Sequence, residues 1–212
     1  MFRAEFEEAL ARGWAGFTGR LVRKAAPRPT AVPAAYVMQP FEVKLDYRGR
    51  AWCTVKFELG HNEIGDAEEP ELQLADDLAA MFTEVGLDAP MPVRAMRADH
   101  QIAQKLHAVS AEGSECARDL VDLQLLDSRE DLDLALVAET CARLFDYRRR
   151  QPWPPTVAAP SQWTSLYAEA SEDLDVLPSI VEAVDWVNAF IRRIASGGSS
   201  KNLDAEKRSG LE

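Results

Sequence analysis

Lys105 and Asp122 are the side chains whose types and settings point most directly to chemistry. Lys105 lies in Ile102-Ala-Gln-Lys-Leu-His-Ala108, and Asp122 in Arg118-Asp-Leu-Val-Asp-Leu-Gln-Leu-Leu126. Ile102, Leu106 and Val109 share one helical stripe. At about 100° per residue, Lys105 projects roughly 60° from the middle of that stripe, at the edge of the buried face. On its own helix Asp122 is flanked by Leu125 and Leu126. A lysine at an apolar rim and a carboxylate in an apolar setting are costly unless they meet a partner or a substrate. A purely structural account also holds: Arg118, one turn before Asp122, pairs with it, and Lys105 snorkels to solvent.

A second group of charged residues falls on the clearest β signal. Phe41, Val43, Leu45 and Tyr47 alternate with Glu42, Lys44 and Asp46, and Cys53, Val55, Phe57 and Leu59 alternate with Thr54, Lys56 and Glu58. Between them lies Arg48-Gly49-Arg50. A two-residue turn sets Leu45 opposite Trp52 and mixes the faces. A three-residue loop sets Leu45 opposite Cys53 and Val43 opposite Val55, so the longer loop is expected. Glu42, Lys44, Asp46, Lys56 and Glu58 then share the other face, either the wet side of a half-exposed sheet or the wall of a cleft.

Other chemistry is sparse. His100 and His107 are two helical turns apart, too far for one metal, and with His61 they read as surface or capping residues. No Gly-x-Ser-x-Gly, glycine-rich phosphate loop or His-Glu-x-x-His is present. Cys53, Cys116 and Cys141 are scattered and odd in number, which favours reduced, packed thiols over disulfides or zinc.

The elements that position these residues follow in order. An amphipathic helix over 2–12 stops at Gly13, and Phe17 to Lys24 reads as an edge strand. Pro27, Pro29 and Pro33 prevent regular structure up to about residue 35. After the hairpin come an acidic loop from His61 to Glu71, a helix from Leu72 to Val85 and an extended piece from Met91 to Met96. Two helices then meet at Gly113-Ser114, the first with Asp99 as its N-cap. Ser128 is expected to cap a helix reaching about Tyr147, and Pro152-Trp-Pro-Pro155 ends it. Ser161 caps a short helix with Trp163, Leu166 and Tyr167. Ile180, Val184, Val187, Ile191 and Ile194 give a 4-3-4-3 spacing for a final helix packed on another. Beyond Gly197 the composition is polar and reads as a disordered tail. The class is α+β: an α/β lobe over 1–96, a helical lobe over 97–196 and a tail over 197–212.

With 212 residues and 47% hydrophobic composition, a sizeable core is available. No apolar run approaches the roughly 18 residues of a membrane span. The acidic N-terminus does not read as a signal peptide, so a cytoplasmic protein is expected. The net charge of −11 argues against a generally basic nucleic-acid surface. Local basic clusters remain at Arg20, Arg23, Lys24 and Arg28, at Arg48 and Arg50, and at Arg148-Arg149-Arg150.

The lysine and aspartate segments resemble the corresponding motifs of the AbiEii-type nucleotidyltransferase toxins, and most closely the MenT toxins of MenAT toxin–antitoxin systems. Gly13-Trp-Ala-Gly-Phe-Thr18, Lys44-Leu-Asp-Tyr-Arg-Gly-Arg-Ala51, Gln151-Pro-Trp-Pro-Pro155 and the closing helix are similar to the same branch in the same order. The resemblance runs from about residue 5 to 195. It implies a polymerase-β-like nucleotidyltransferase lobe, here partial, followed by a helical lobe. It implies Mg²⁺-dependent transfer of nucleotides from a nucleoside triphosphate to the 3′ end of tRNA, restrained by a cognate antitoxin. By the same likeness Lys105 holds triphosphate oxygens, Asp122 is the catalytic aspartate of the helical lobe, and Glu58 takes the place of the family's later strand carboxylate. Lys44 and Arg48 belong to its basic, substrate-binding hairpin.

One part of the pattern is missing. The family places its metals with a Gly-Ser turn followed by Asp-x-Asp on a strand, and no such motif precedes residue 58. Gly113-Ser114 with Asp131-Leu-Asp133 comes after Lys105 and at too long an interval, and Asp173-Leu-Asp175 has no Gly-Ser ahead of it. No metal ligand is assigned. The expectation is a truncated, weak or inactive enzyme with its site between the hairpin's polar face and the Lys105–Asp122 helices. The alternative is a non-catalytic remnant that binds an antitoxin, RNA or an intact homologue.

Overall fold

The computed structural model describes residues 2–27, 37–129 and 132–209. The chain divides into two compact units, Met1–Asn62 and Glu63–Glu212. Arg28, Pro29, Pro33 and Asp131 lie outside the described residues.

In the first unit, α1 (Phe2–Arg12) is followed by a three-stranded antiparallel sheet of β1 (Phe17–Arg23), β2 (Gln39–Tyr47) and β3 (Arg50–Leu59), in that order. Gly13 stops α1 at φ +73°, and a Cβ there would stand 2.1 Å from the Phe17 carbonyl oxygen. Leu45 pairs with Cys53 and Val43 with Val55, the register that keeps the apolar residues on one face. The expected three-residue loop is replaced by a different device. Tyr47 pairs with Arg50 and Asp46 with Ala51, and the register then shifts beside Leu45. Arg48 and Gly49 therefore form a two-residue turn, both at positive φ (49° and 76°), and Trp52 is an extra residue on β3. A turn of this kind matches the right-handed twist of the strands, and the bulge restores the faces. Under α1 the apolar face joins Phe6 to Phe57, ring centroids 5.9 Å apart, with Phe41 and Val43 buried.

The second unit begins with β4 (Glu71–Gln73) and β5 (Val93–Ala95), an antiparallel pair, with α2 (Asp76–Glu84) between them in sequence. Five helices follow: α3 (Ala98–Val109), α4 (Arg118–Asp127), α5 (Leu134–Arg148), α6 (Trp163–Ala170) and α7 (Ile180–Ser209). Their core contains Ile102, Leu106, Leu120, Leu123, Leu144, Phe145, Trp163, Tyr167, Phe190, Ile191 and Ile194. Burying each large apolar side chain contributes roughly 1.5–3 kcal/mol. The polar ends of the two aromatics are satisfied: Trp163 Nε1 donates to the Ser114 carbonyl (2.8 Å) and Tyr167 Oη to that of Leu177 (2.6 Å). Ile180, Val187, Ile191 and Ile194 of α7 are buried in the expected spacing, with Val184 partly so.

Several local expectations change. Residues 63–96 fall with the helices rather than with the sheet. Side chains of the acidic loop explain this: Glu63 pairs with Arg148, Asp66 accepts from Gln104, and Glu71 accepts from the Ala98 amide and Arg129. Asp99 is not the cap of α3; Arg97 holds that position. Asp99 is buried in the first turn, accepting from Thr140 Oγ1 (2.7 Å) and Arg97 Nε (3.0 Å). Ser128 closes α4 instead of opening α5, whose cap is Asp133, accepting from the amides of Ala135 and Leu136. α2 starts after Leu72, which belongs to β4. The backbone of α7 stays helical past residue 197, to Ser209. Cys53 and Cys116 are exposed, and only Cys141 is buried. Among the described residues no helix is long and apolar enough to cross a membrane.

Candidate functional site

α3 is amphipathic in an uneven way. Ile102, Ala103, Leu106 and Val109 go into the core, and His100 and His107 are buried with them. They are not the surface histidines the sequence suggested. The neighbouring edge of the helix carries Gln101, Gln104, Lys105 and Ala108, spaced one and two turns apart. These four line a cavity of about 650 Å³, together with Gln73, Ala95, Met96, Asp119 and Arg148. β4, β5, α3, α4 and α5 each contribute to its wall.

Lys105 stands where this edge meets α4. Its Nζ donates to Asp119 Oδ1 (2.9 Å) and Asp122 Oδ2 (2.6 Å). The two aspartates are three residues apart and so share one side of α4, while Leu120, Val121 and Leu123 fill the core behind them. Burial opposes the charge on Lys105, but its hydrogen bonds to Asp122 and Asp119 and their charges outweigh it, and the ammonium is held above its usual range. An ammonium has three N–H donors, so one remains for a further acceptor. The Lys105 side chain is 23% exposed and that of Asp122 34%, which leaves the cluster open to a ligand. Asp122 is thus at a wet rim, with Leu125 exposed beside it, rather than in an apolar pocket. Arg118 points to solvent and does not pair with Asp122.

Polar residues from distant parts of the sequence shape the same cavity. Arg148 is held by the buried Glu63, with Nε 3.3 and 3.1 Å from its two oxygens and Nη2 on Oε2. Gln104 Nε2 donates to Asp66 Oδ2 (2.8 Å), Gln101 Nε2 to the Met96 carbonyl (2.6 Å), and Gln73 Nε2 to Glu71 Oε2 (2.9 Å). Neither these glutamines nor Glu63 belongs to a motif that marks it in the sequence. The polar stripe Gln101-Gln104-Lys105-Ala108 was the available signal.

The remaining candidates belong to the first unit. Lys44 pairs with Arg20 on β1 and Thr54 on β3. Its Nζ lies 3.8 Å from Glu42 Oε2, while Lys24 takes Glu42 Oε1 at 3.0 Å. The Lys24 hydrogen bond, against some desolvation and aided by the charges of Lys24, Lys44 and Lys56, holds the Glu42 carboxyl below its usual range. Arg48 occupies the turn with its guanidinium 5.2 Å from the Tyr47 ring centroid. Glu58 is exposed on β3 opposite Pro40.

The model of the nucleotidyl transferase AbiEii toxin family, type IV toxin–antitoxin system, matches residues 2–187. The chain belongs to the AbiEii family. No curated protein matches it. Membership makes the protein a nucleotidyltransferase toxin relative, implies an antitoxin partner and suggests use of a nucleoside triphosphate and a metal. The donors around Lys105 do not form a resident divalent-cation site. Among the described residues no three His, Cys, Asp or Glu side chains gather at one point. The lysine ammonium, moreover, already bridges the two carboxylates.

Proposed function

We propose that this AbiEii-family protein transfers a nucleotide from a nucleoside triphosphate to the 3′ end of a tRNA in the cytoplasm, as its resemblance to the MenT branch implies. The observation that carries this reading is a lysine kept charged by two carboxylates at the wall of a polar cavity. A triphosphate oxygen takes the free Nζ donor of Lys105, and the ammonium offsets charge as pyrophosphate departs. Asp122, through the carboxylate oxygen that Lys105 does not engage, accepts the proton of the attacking 3′-hydroxyl as the new O3′–phosphorus bond forms and the α–β phosphoanhydride breaks. Asp119 keeps Lys105 in place. Lys44 and Arg48 are proposed to meet RNA phosphates, and Glu58 to be the strand carboxylate that the resemblance implies. An antitoxin restrains the activity.

Because the cluster does not hold a metal by itself, the rate is expected to be low. Purified protein, labelled nucleoside triphosphates, Mg²⁺ and total tRNA give the test. Weak labelling of tRNA 3′ ends that disappears in Lys105→Ala and Asp122→Asn is the expected result. Labelling that survives Lys105→Ala would place the site elsewhere, and robust labelling would show that the donor set is complete.

A further inference from the structure

The three glutamines of the cavity have a fixed orientation. A glutamine amide has a donating NH₂ end and an accepting carbonyl end. Met96 offers Gln101 a backbone carbonyl, and Asp66 and Glu71 offer Gln104 and Gln73 carboxylates. A backbone carbonyl and an ionised carboxylate only accept, so each can be met only by an NH₂ end. The carbonyl ends are therefore directed away from these partners. Gln101 and Gln104 are half-buried, yet neither Oε1 is a buried atom lacking a partner, and neither receives a hydrogen bond among the described residues. Lys105 thus lines the cavity as a cation beside Gln101 and Gln104, whose carbonyl ends are not engaged by these partners.

These two ends suit different parts of one ligand. Neutral acceptors repel phosphate oxygens and attract N–H groups, so a triphosphate goes to Lys105 and a donor-bearing group to the glutamines. We propose that Gln101 and Gln104, with Gln73 at the rim, select a nucleotide whose base carries the exocyclic amino group on its pairing edge, as cytosine and adenine do. A base with a carbonyl at that place, uracil or hypoxanthine, sets acceptor against acceptor and leaves both unpaired. The inference rests on Lys105 being the triphosphate-binding residue.

Calorimetric titration of the full chain with CTP against UTP, and with ATP against ITP, tests it. CTP and ATP are expected to bind about tenfold more tightly than their partners. That preference is expected to vanish in Gln101→Leu and Gln104→Leu, each checked for an unchanged melting profile. Equal affinity within each pair overturns the base selection while leaving the Lys105 site standing. Failure of all four triphosphates to bind overturns both. Retention of the preference in both variants assigns it to other residues and overturns the inference.

Discussion

Lys105 and His107 sit two positions apart on α3, and the fold treats their protons in opposite ways. Two carboxylates keep Lys105 charged. His107 is buried against Phe145, ring centroids 5.0 Å apart, and its Nε2 has no hydrogen-bond partner among the described residues. Desolvation, with the nearby charges of Arg148 and Arg150, pushes its pKa down to about 4 from 6.5. The unfolded chain therefore takes up the proton first as pH falls, so stability is complete above 6.5 and declines toward 4. Thermal melts across that window should fall more steeply for the wild type than for His107→Leu; equal slopes would show that His107 titrates normally. At this scale the sequence disclosed the problem better than its solution. A lysine at an apolar rim announces a missing partner, but whether Arg118, Asp119 or Asp122 answers it depends on how α3 and α4 cross. The glutamines stayed hidden because their orientation is set by Asp66, Glu71 and Met96, of which Asp66 stands 38 residues from its glutamine.

Elements with strict periodicity were the most legible. Alternation on β2 and β3 located the register, since a one-residue slip would turn the apolar side chains of one strand to the opposite face from those of its partner. It did not reveal how the chain makes the turn, because a two-residue turn plus a bulge and a three-residue loop leave the same faces together. Helix ends were harder: Asp99, Ser128 and Asp133 all have capping side chains, and tertiary contacts decided which of them caps. Gly13 and Gly49 of the first unit differ in what they permit. Gly49 is at positive φ with open space around it, whereas a Cβ at Gly13 would collide with backbone. Gly49→Ala should cost about 1 kcal/mol. Gly13→Ala should cost several-fold more in denaturant titration, and similar losses would refute the close approach of Phe17 to Gly13.

Over the whole molecule, the net charge of −11 conceals an asymmetry that averages hid. Residues 1–62 carry ten Lys and Arg against six Asp and Glu, while the remainder carries fourteen against twenty-nine. Proposed RNA binding therefore belongs to the first unit, and it should weaken steeply with salt. Lys44→Ala with Arg48→Ala should lower both RNA affinity and the steepness of that salt dependence without changing triphosphate binding; an unchanged slope would remove the hairpin from the RNA site. The units divide at Asn62 and Glu63, not near residue 96, because the acidic loop and β4 join the helices through ion pairs that no periodicity encodes.

Equilibrium titration of wild type and Lys105→Met with a nucleoside triphosphate and with the bare nucleoside decides whether Lys105 binds the triphosphate. Triphosphate affinity is expected to fall about tenfold or more in the variant, because the ammonium is gone and Asp119 and Asp122 then face the phosphates, with nucleoside binding unaltered. Equal triphosphate affinity in the two proteins would contradict it.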